Sequence, residues 1–223
     1  LVKAVRAAGI DIHSGHAVSI ASGTQHLARV EIAPVNDGAT ALLDDPFHMD
    51  CDLLAMSGGL SPAVHLHSQA RGKLGWDERL LCFKPTTVHE ASFNVGAGNG
   101  VFDTEKAIAD GMKAGSAAAK AAGFTISDTE APAVEAPNQS WRPLAAWKIS
   151  NGQGPGQGPK AFVDFQNDVT ASDVSLAARE GYQSVEHLKR YTTLGMATDQ
   201  GKTSNINGLA ILADALGREI PEV

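Results

Sequence analysis

The sequence predicts a mixed α/β region over residues 1–124, a connector over 125–160 and a small all-α module over 161–223. Three observations carry that division. Short Val- and Ile-rich alternating segments, followed by a strand–glycine–helix order, fill the first part. Pro, Gly, Asn and Ser dominate "TISDTEAPAVEAPNQSWRP" and "SNGQGPGQGPK" in the second. Three helix starts, each with its own stop, follow one another in the third.

In chain order, "LVKAVRAAG" reads as the back half of a helix stopped by Gly9, so the chain is expected to be cut from a longer polypeptide. "IDIHSGHAVSIASG" and "LARVEIAPV" suit hairpin pairing across Gly23. "DCDLLAMSGGLSP" predicts a buried strand closing on Gly58, Gly59 and Pro62. A strand over 91–95 then feeds the glycines Gly96, Gly98 and Gly100 into a helix over 104–122, with Asp103 as its cap. Trp141 and Trp147 interrupt the connector and are expected to tack it onto a neighbouring surface. In the last part Thr170 and Asp173 make a capping-box start for a helix stopped by Gly181. Ser184 starts a second helix that Gly195 ends, and Thr203 or Asn205 starts a third that ends at Gly217.

With 223 residues, 43% apolar composition and a formal charge of −7, the chain can bury one sizeable core or two modest ones. An acidic balance with 5% aromatics and no basic stripe excludes nucleic acid as the expected partner. No apolar run reaches the roughly 20 residues of a membrane span, and no leader pattern is present, so the expected location is cytoplasmic. Cys51 and Cys82 lack redox-pair spacing and read as buried free thiols.

Few patterns carry chemistry. A strand, a glycine turn and a helix start aim N–H donors and a dipole at one point, which suits a pyrophosphate. Gly96-x-Gly98-x-Gly100 is not the dinucleotide fingerprint, however, and a tight turn against a sheet explains it equally well. "GQGPGQGPK" is no phosphate loop, since Pro155 and Pro159 remove donors. His65 and His67 would share one strand face but lack a third ligand. In "DQGKTSNIN" Lys202 brings a positive charge and Thr203, Ser204 and Asn205 bring hydroxyl and amide groups, beside helix N–H donors expected to be unpaired. That combination suits an anion; the alternative is a capped helix with a solvated lysine.

Two resemblances organise these fragments. The order hairpin, "DLLAMSGGLSP", "NVGAGNGVFDTEKAIADG" is similar to part of a dinucleotide-binding domain of the flavoprotein disulfide-oxidoreductase type. "SGGLSPAVHLHSQARGKLGWDE" and the stretch from 160 onward resemble the alpha subunit of heterotetrameric bacterial sarcosine oxidase. The helical module resembles a two-iron ferredoxin domain, with frames Val163–Thr170 and Met196–Ser204. Its four cysteine positions hold Asp164, Gln166, Asp199 and Ser204, so no iron–sulfur cluster is expected.

The resemblance implies NAD in the first domain, where Gly96-Ala97 replaces the Gly-Asp that marks FAD binding. The positions carried over are Ser57, Gly58, Gly59, Pro62, Gly96, Ala97, Gly98 and Asn99. It also implies FMN shared with a flavin-bearing beta subunit, with Lys202, Thr203, Ser204 and Asn205 as the contacts. The family's complex oxidises sarcosine at an FAD in another subunit. The fingerprint upstream and a folate-binding domain downstream are expected to lie outside this chain, which should have no turnover alone. A docking-only module without cofactor, and the equivalent subunit of an opine or hydroxyproline oxidase, are the alternatives.

Overall fold

The computed structural model describes residues 2–127, 131–134, 143–153 and 157–223. Leu1, Trp141 and Pro155 lie outside the described residues, so the tacking expected of Trp141 does too. The architecture is mixed α/β, and the backbone groups into two compact units, residues 1–56 with 144–223, and residues 57–143.

The first unit opens with helix α1 (Val2–Ala7), which ends where Gly9 turns left-handed at φ +74°. Strands β1 (His16–Gly23), β2 (Leu27–Pro34) and β3 (Phe47–Asp50) form an antiparallel sheet in that order. Val30 and Ala33 of β2 are buried, as a central strand requires. Ser150 runs beside this sheet, its N–H donating to Thr40 O (2.8 Å) and its carbonyl accepting from Leu42 N (2.9 Å).

The helical module carries the dense core. A short ladder, β6 (Phe162–Asp164) with β7 (Val169–Thr170), leads into α4 (Ala171–Arg179), α5 (Val185–Thr192) and α6 (Asn205–Leu216). Val163, Val169, Val174, Ala177, Leu188, Leu194, Ile211 and Leu212 pack into one cluster. The caps follow the side chains: Thr170 and Asp173 form a capping box, Ser184 accepts from His187 N, and Gly217 closes α6 at φ +64°. Gly195 does not end α5. Thr193 takes the left-handed position at φ +63°, and Gly195 turns again at φ +68° two residues later.

In the second unit α2 (His65–Gln69) precedes the hairpin β4 (Lys73–Asp77) and β5 (Cys82–Thr87). A 3₁₀ turn at Gly96–Asn99 then leads to α3 (Thr104–Ala121), whose Asp103 cap accepts from Lys106 N at 2.9 Å. Two expected strands are absent: residues 51–64 and 91–95 have no ladder. Leu53, Met56 and Leu60 are 62–78% exposed, so the apolar run marks surface rather than a buried strand. His65 and His67 fall on α2 rather than on a strand; His65 is exposed and His67 buried.

Leu212 is fully buried at the centre of the helical core. Leu212→Ala should therefore cost about 2–5 kcal/mol in chemical denaturation. An exposed replacement on the same helix, Asp214→Ala, should stay within about 0.5 kcal/mol.

Candidate functional site

The two frames of the helical module meet through side-chain oxygens. Asp164, 3% exposed, accepts three backbone N–H groups. Gln166 N (2.9 Å) and Asn167 N (3.1 Å) donate to its Oδ1, and Gly195 N donates to Oδ2 at 2.8 Å. Gln166 repeats the reach, its Oε1 accepting from Thr198 N (3.1 Å) and from Thr198 Oγ1 (2.8 Å). Asn167 Nδ2 donates back to Thr193 O at 2.8 Å. Asp199 holds its own loop, with Gly201 N on Oδ1 (3.0 Å) and both Thr203 N (3.2 Å) and Thr203 Oγ1 (2.6 Å) on Oδ2. These bonds hold its carboxyl below the usual carboxylate range, the Thr203 hydroxyl contributing most.

Of Asp164, Gln166, Asp199 and Ser204, the first three thus serve as acceptors for backbone donors. The fourth, Ser204, is 1% exposed and its hydroxyl has no partner among the described residues. Asn205 adds an element that sequence reasoning missed. Its side-chain amide occupies the space where a Cβ on Gly195 or Gly201 would collide with it, which explains why both positions are glycine. Gly195, Gly201, Thr193, Gln200 and Asp168 all have positive φ. For the three non-glycine residues that conformation is strained, and the side-chain bonds around the loops hold it in place.

The predicted anion contacts divide accordingly. Lys202 and Thr203 are exposed, Asn205 is half-buried and Ser204 is buried. The donors near them are not free, since Gly201 N and Thr203 N already donate to Asp199. An arriving phosphate would meet the Asp199 carboxylate as well as the Lys202 ammonium.

The second group of predicted residues lies in the other unit. Ser57, Gly58 and Gly59 are exposed in irregular backbone and Pro62 is buried. Gly96, Ala97, Gly98 and Asn99 form the 3₁₀ turn. His67 links the two stretches: its Nδ1 accepts from Asn94 Nδ2 (3.0 Å), and its Nε2–H donates to Lys73 O (2.9 Å). Both ring nitrogens are therefore engaged, and no metal-binding group of His, Cys, Asp or Glu exists among the described residues. Gly96 N donates to Asp110 Oδ2 at 2.9 Å, a contact two turns along α3 that the Ala- and Gly-rich helix pattern did not announce. One carboxylate, that of Asp110, thus already occupies the Gly96 N–H. The turn is a poor seat for a pyrophosphate.

A groove of about 390 Å³ lies between the 143–153 segment and α6, lined by Trp147, Lys148, Ile211 and Asp214 among others. None of the predicted site residues lines it.

Residues 158–223 match the family model described as the sarcosine oxidase A3 domain. The chain is 38% identical over 216 residues to the sarcosine oxidase subunit alpha of Corynebacterium sp. (strain P-1), covering 96% of this chain and 22% of that protein. It is 37% identical over 172 residues to the subunit of the same name from Rhizobium meliloti (strain 1021), covering 77% and 17%. The chain therefore spans about a fifth of the length of these relatives. Among solved structures, L-proline dehydrogenase from P.horikoshii matches at TM-score 0.61 and 18% identity, over 100% of this chain and 43% of that one. That likeness shows the fold alone.

Removing the Asp164 carboxylate strands three backbone donors. Asp164→Ala should cost at least about 2 kcal/mol in urea denaturation, and Asp164→Asn less, because it keeps an acceptor. Asp199 sets a pH dependence. Its folded carboxyl titrates below its unfolded value of about 3.9, so its contribution is complete above that pH and is lost as pH falls through the depressed value. Asp199→Asn should flatten the acid limb of the urea midpoint against pH and leave the neutral limb parallel to that of the parent.

Proposed function

Because this chain belongs to the sarcosine oxidase alpha-subunit family, we propose that it serves as part of the alpha subunit of an amine-oxidising flavoprotein complex, with its helical module against a flavin-bearing partner subunit. In this reading residues 1–124 are the later part of a dinucleotide-binding domain and 161–223 is a ferredoxin-like module without a cluster. Sarcosine is the substrate of the complex, FMN is shared with the beta subunit, and NAD belongs to the first domain.

The observation that carries the FMN part is the placement of Lys202. Its ammonium is exposed at the crest of a loop whose inner side is fastened by Asp164, Gln166 and Asp199. A rigid loop with one outward cation suits a phosphate that a neighbour presents. Lys202 is the outward group; the Thr203 hydroxyl is held by Asp199, and Ser204 and Asn205 shape the loop from behind. The Asp199 carboxylate opposes a dianion there, so Lys202 must supply the attraction. FMN itself, when bound, supplies the electron transfer.

For NAD the residues of this chain fit less well. The Asp110 carboxylate, bonded to Gly96 N, disfavours the pyrophosphate there. Ser57–Pro62 and Gly96–Asn99 are then a wall for the neutral parts of the nucleotide. Among the described residues no base or nucleophile is arranged for amine oxidation, and in this reading the amine-oxidising site lies in another subunit.

The docking-only reading is favoured by one feature: Phe162, Phe165 and Met196 are 37–62% exposed on or beside the two frames. Reconstitution with a flavin-bearing beta subunit separates the two. On the FMN reading Lys202→Glu lowers FMN occupancy by about tenfold or more while the subunits still associate, and Lys120→Glu changes neither. FMN occupancy equal to the parent in Lys202→Glu rejects the FMN contact, and lost association in Phe165→Glu with no FMN found in any variant favours docking alone.

A further inference from the structure

The groove between the 143–153 segment and α6 lies within the first unit and carries charges of both signs. Lys148 belongs to the segment and Asp214 to α6. Both are exposed, and among the described residues neither side chain makes an ion pair or a hydrogen bond, with the other or with anything else. Trp147, half-buried, and the buried Ala210 and Ile211 of α6 line the same space. Surface lysines and aspartates are ordinarily solvated one by one. Here one of each sign shares a concave, partly apolar space of about 390 Å³ with an indole. A few polar groups on an apolar lining, within the range of about 300–1,000 Å³, is the make-up of a small-molecule site.

The lining also selects the charges it can hold. Its hydroxyl and carbonyl acceptors on the first unit are engaged. Thr40 Oγ1 takes Asn36 Nδ2 (2.9 Å) and Ser150 Oγ takes Gly152 N (3.1 Å). The Thr40 carbonyl takes Ser150 N (2.8 Å) and the Ser150 carbonyl takes Leu42 N (2.9 Å), bonds that also fix the wall carrying Trp147 and Lys148. The Asp214 carboxylate remains as the open acceptor. A primary ammonium brings three N–H donors, more than this lining answers. A tertiary ammonium brings one, and its alkyl groups gain from an indole face through cation–π attraction. Lys148 calls for an anion, and Ala210 and Ile211 for an apolar body.

We infer that this groove binds a small zwitterion: an amino acid with a tertiary ammonium and an apolar side chain, whose carboxylate pairs with Lys148, whose single N–H donates to Asp214 and whose N-alkyl groups rest on Trp147. The apolar side chain covers Ile211. The site is separate from the Lys202 loop, since no residue between 164 and 205 lines the groove. It binds and carries no reaction step. Neither the FMN nor the NAD reading supports it, and its test contains no flavin or nucleotide, so each can fail without the other.

The test is titration of the 223-residue chain with N,N-dimethyl-L-leucine, followed by calorimetry and by the NMR signals of the Trp147 indole and the Ile211 methyl groups. A cooperative urea transition establishes that the chain and each variant are folded; Lys148 and Asp214 make no bonds within the chain, so their replacement should leave the urea midpoint in place. The probe should bind saturably with Kd below about 1 mM. Lys148→Met and Asp214→Asn should each weaken it by about tenfold or more, and Trp147→Leu by about threefold or more. N-acetyl-L-leucine, which lacks the cation, and the methyl amide of the probe, which lacks the carboxylate, should each bind about tenfold more weakly than the probe. Lys148→Met should bind that amide as the parent does, because the lost partners are each other's. No saturable shift by about 10 mM probe overturns the proposal, as does binding unchanged in both charge variants. N-acetyl-L-leucine as tight as the probe makes the groove an anion site and overturns it, and L-leucine as tight as the probe overturns the tertiary ammonium.

Discussion

The helical module depends on oxygen acceptors placed where two loops would otherwise expose backbone N–H groups to each other. Asp164 and Gln166 reach from the first loop to Gly195 and Thr198 in the second, and Asp199 folds the second onto itself. A buried donor without an acceptor costs about 1–3 kcal/mol, so several together would open the end of the module. The two aspartates satisfy their donors with bonds of 2.8–3.2 Å. The left-handed turns at Asp168, Thr193 and Gln200 persist because the same bonds hold them. Three side chains suffice to fasten these loops.

That arrangement bears on function by what it leaves outside. With Asp164 and Asn205 turned inward, the crest presents Lys202, and the first frame presents Phe165. The module is thus fastened within and presents a cation and an aromatic ring outward. The unit of residues 57–143 differs: among its described residues only Pro62, His67 and Cys82 are buried.

Much of this was legible in the sequence where local chemistry decides. The capping box at Thr170 and Asp173, the Asp103 cap and the Gly217 stop depend on residues within one turn, and each stands as expected. The hairpin of β1 and β2 follows from alternation. The apolar runs at 51–64 and 91–95 misled, because an apolar stretch has the same pattern whether a neighbour covers it or not. In the site, the four substituted positions could be named but not their partners. Gly195 looked like a helix stop, and only three dimensions reveal that the Asn205 amide requires its missing Cβ. Asp110 escaped for the same reason, since its bond to Gly96 spans fourteen residues.

Metal analysis of the freshly purified chain addresses the central claim most directly. If side-chain oxygens alone close the two loops, anaerobically prepared protein is colourless, contains iron and acid-labile sulfide far below one per chain, and keeps its urea midpoint after exhaustive chelation. Brown protein with about two iron and two sulfide per chain, destabilised when they are removed, would contradict it.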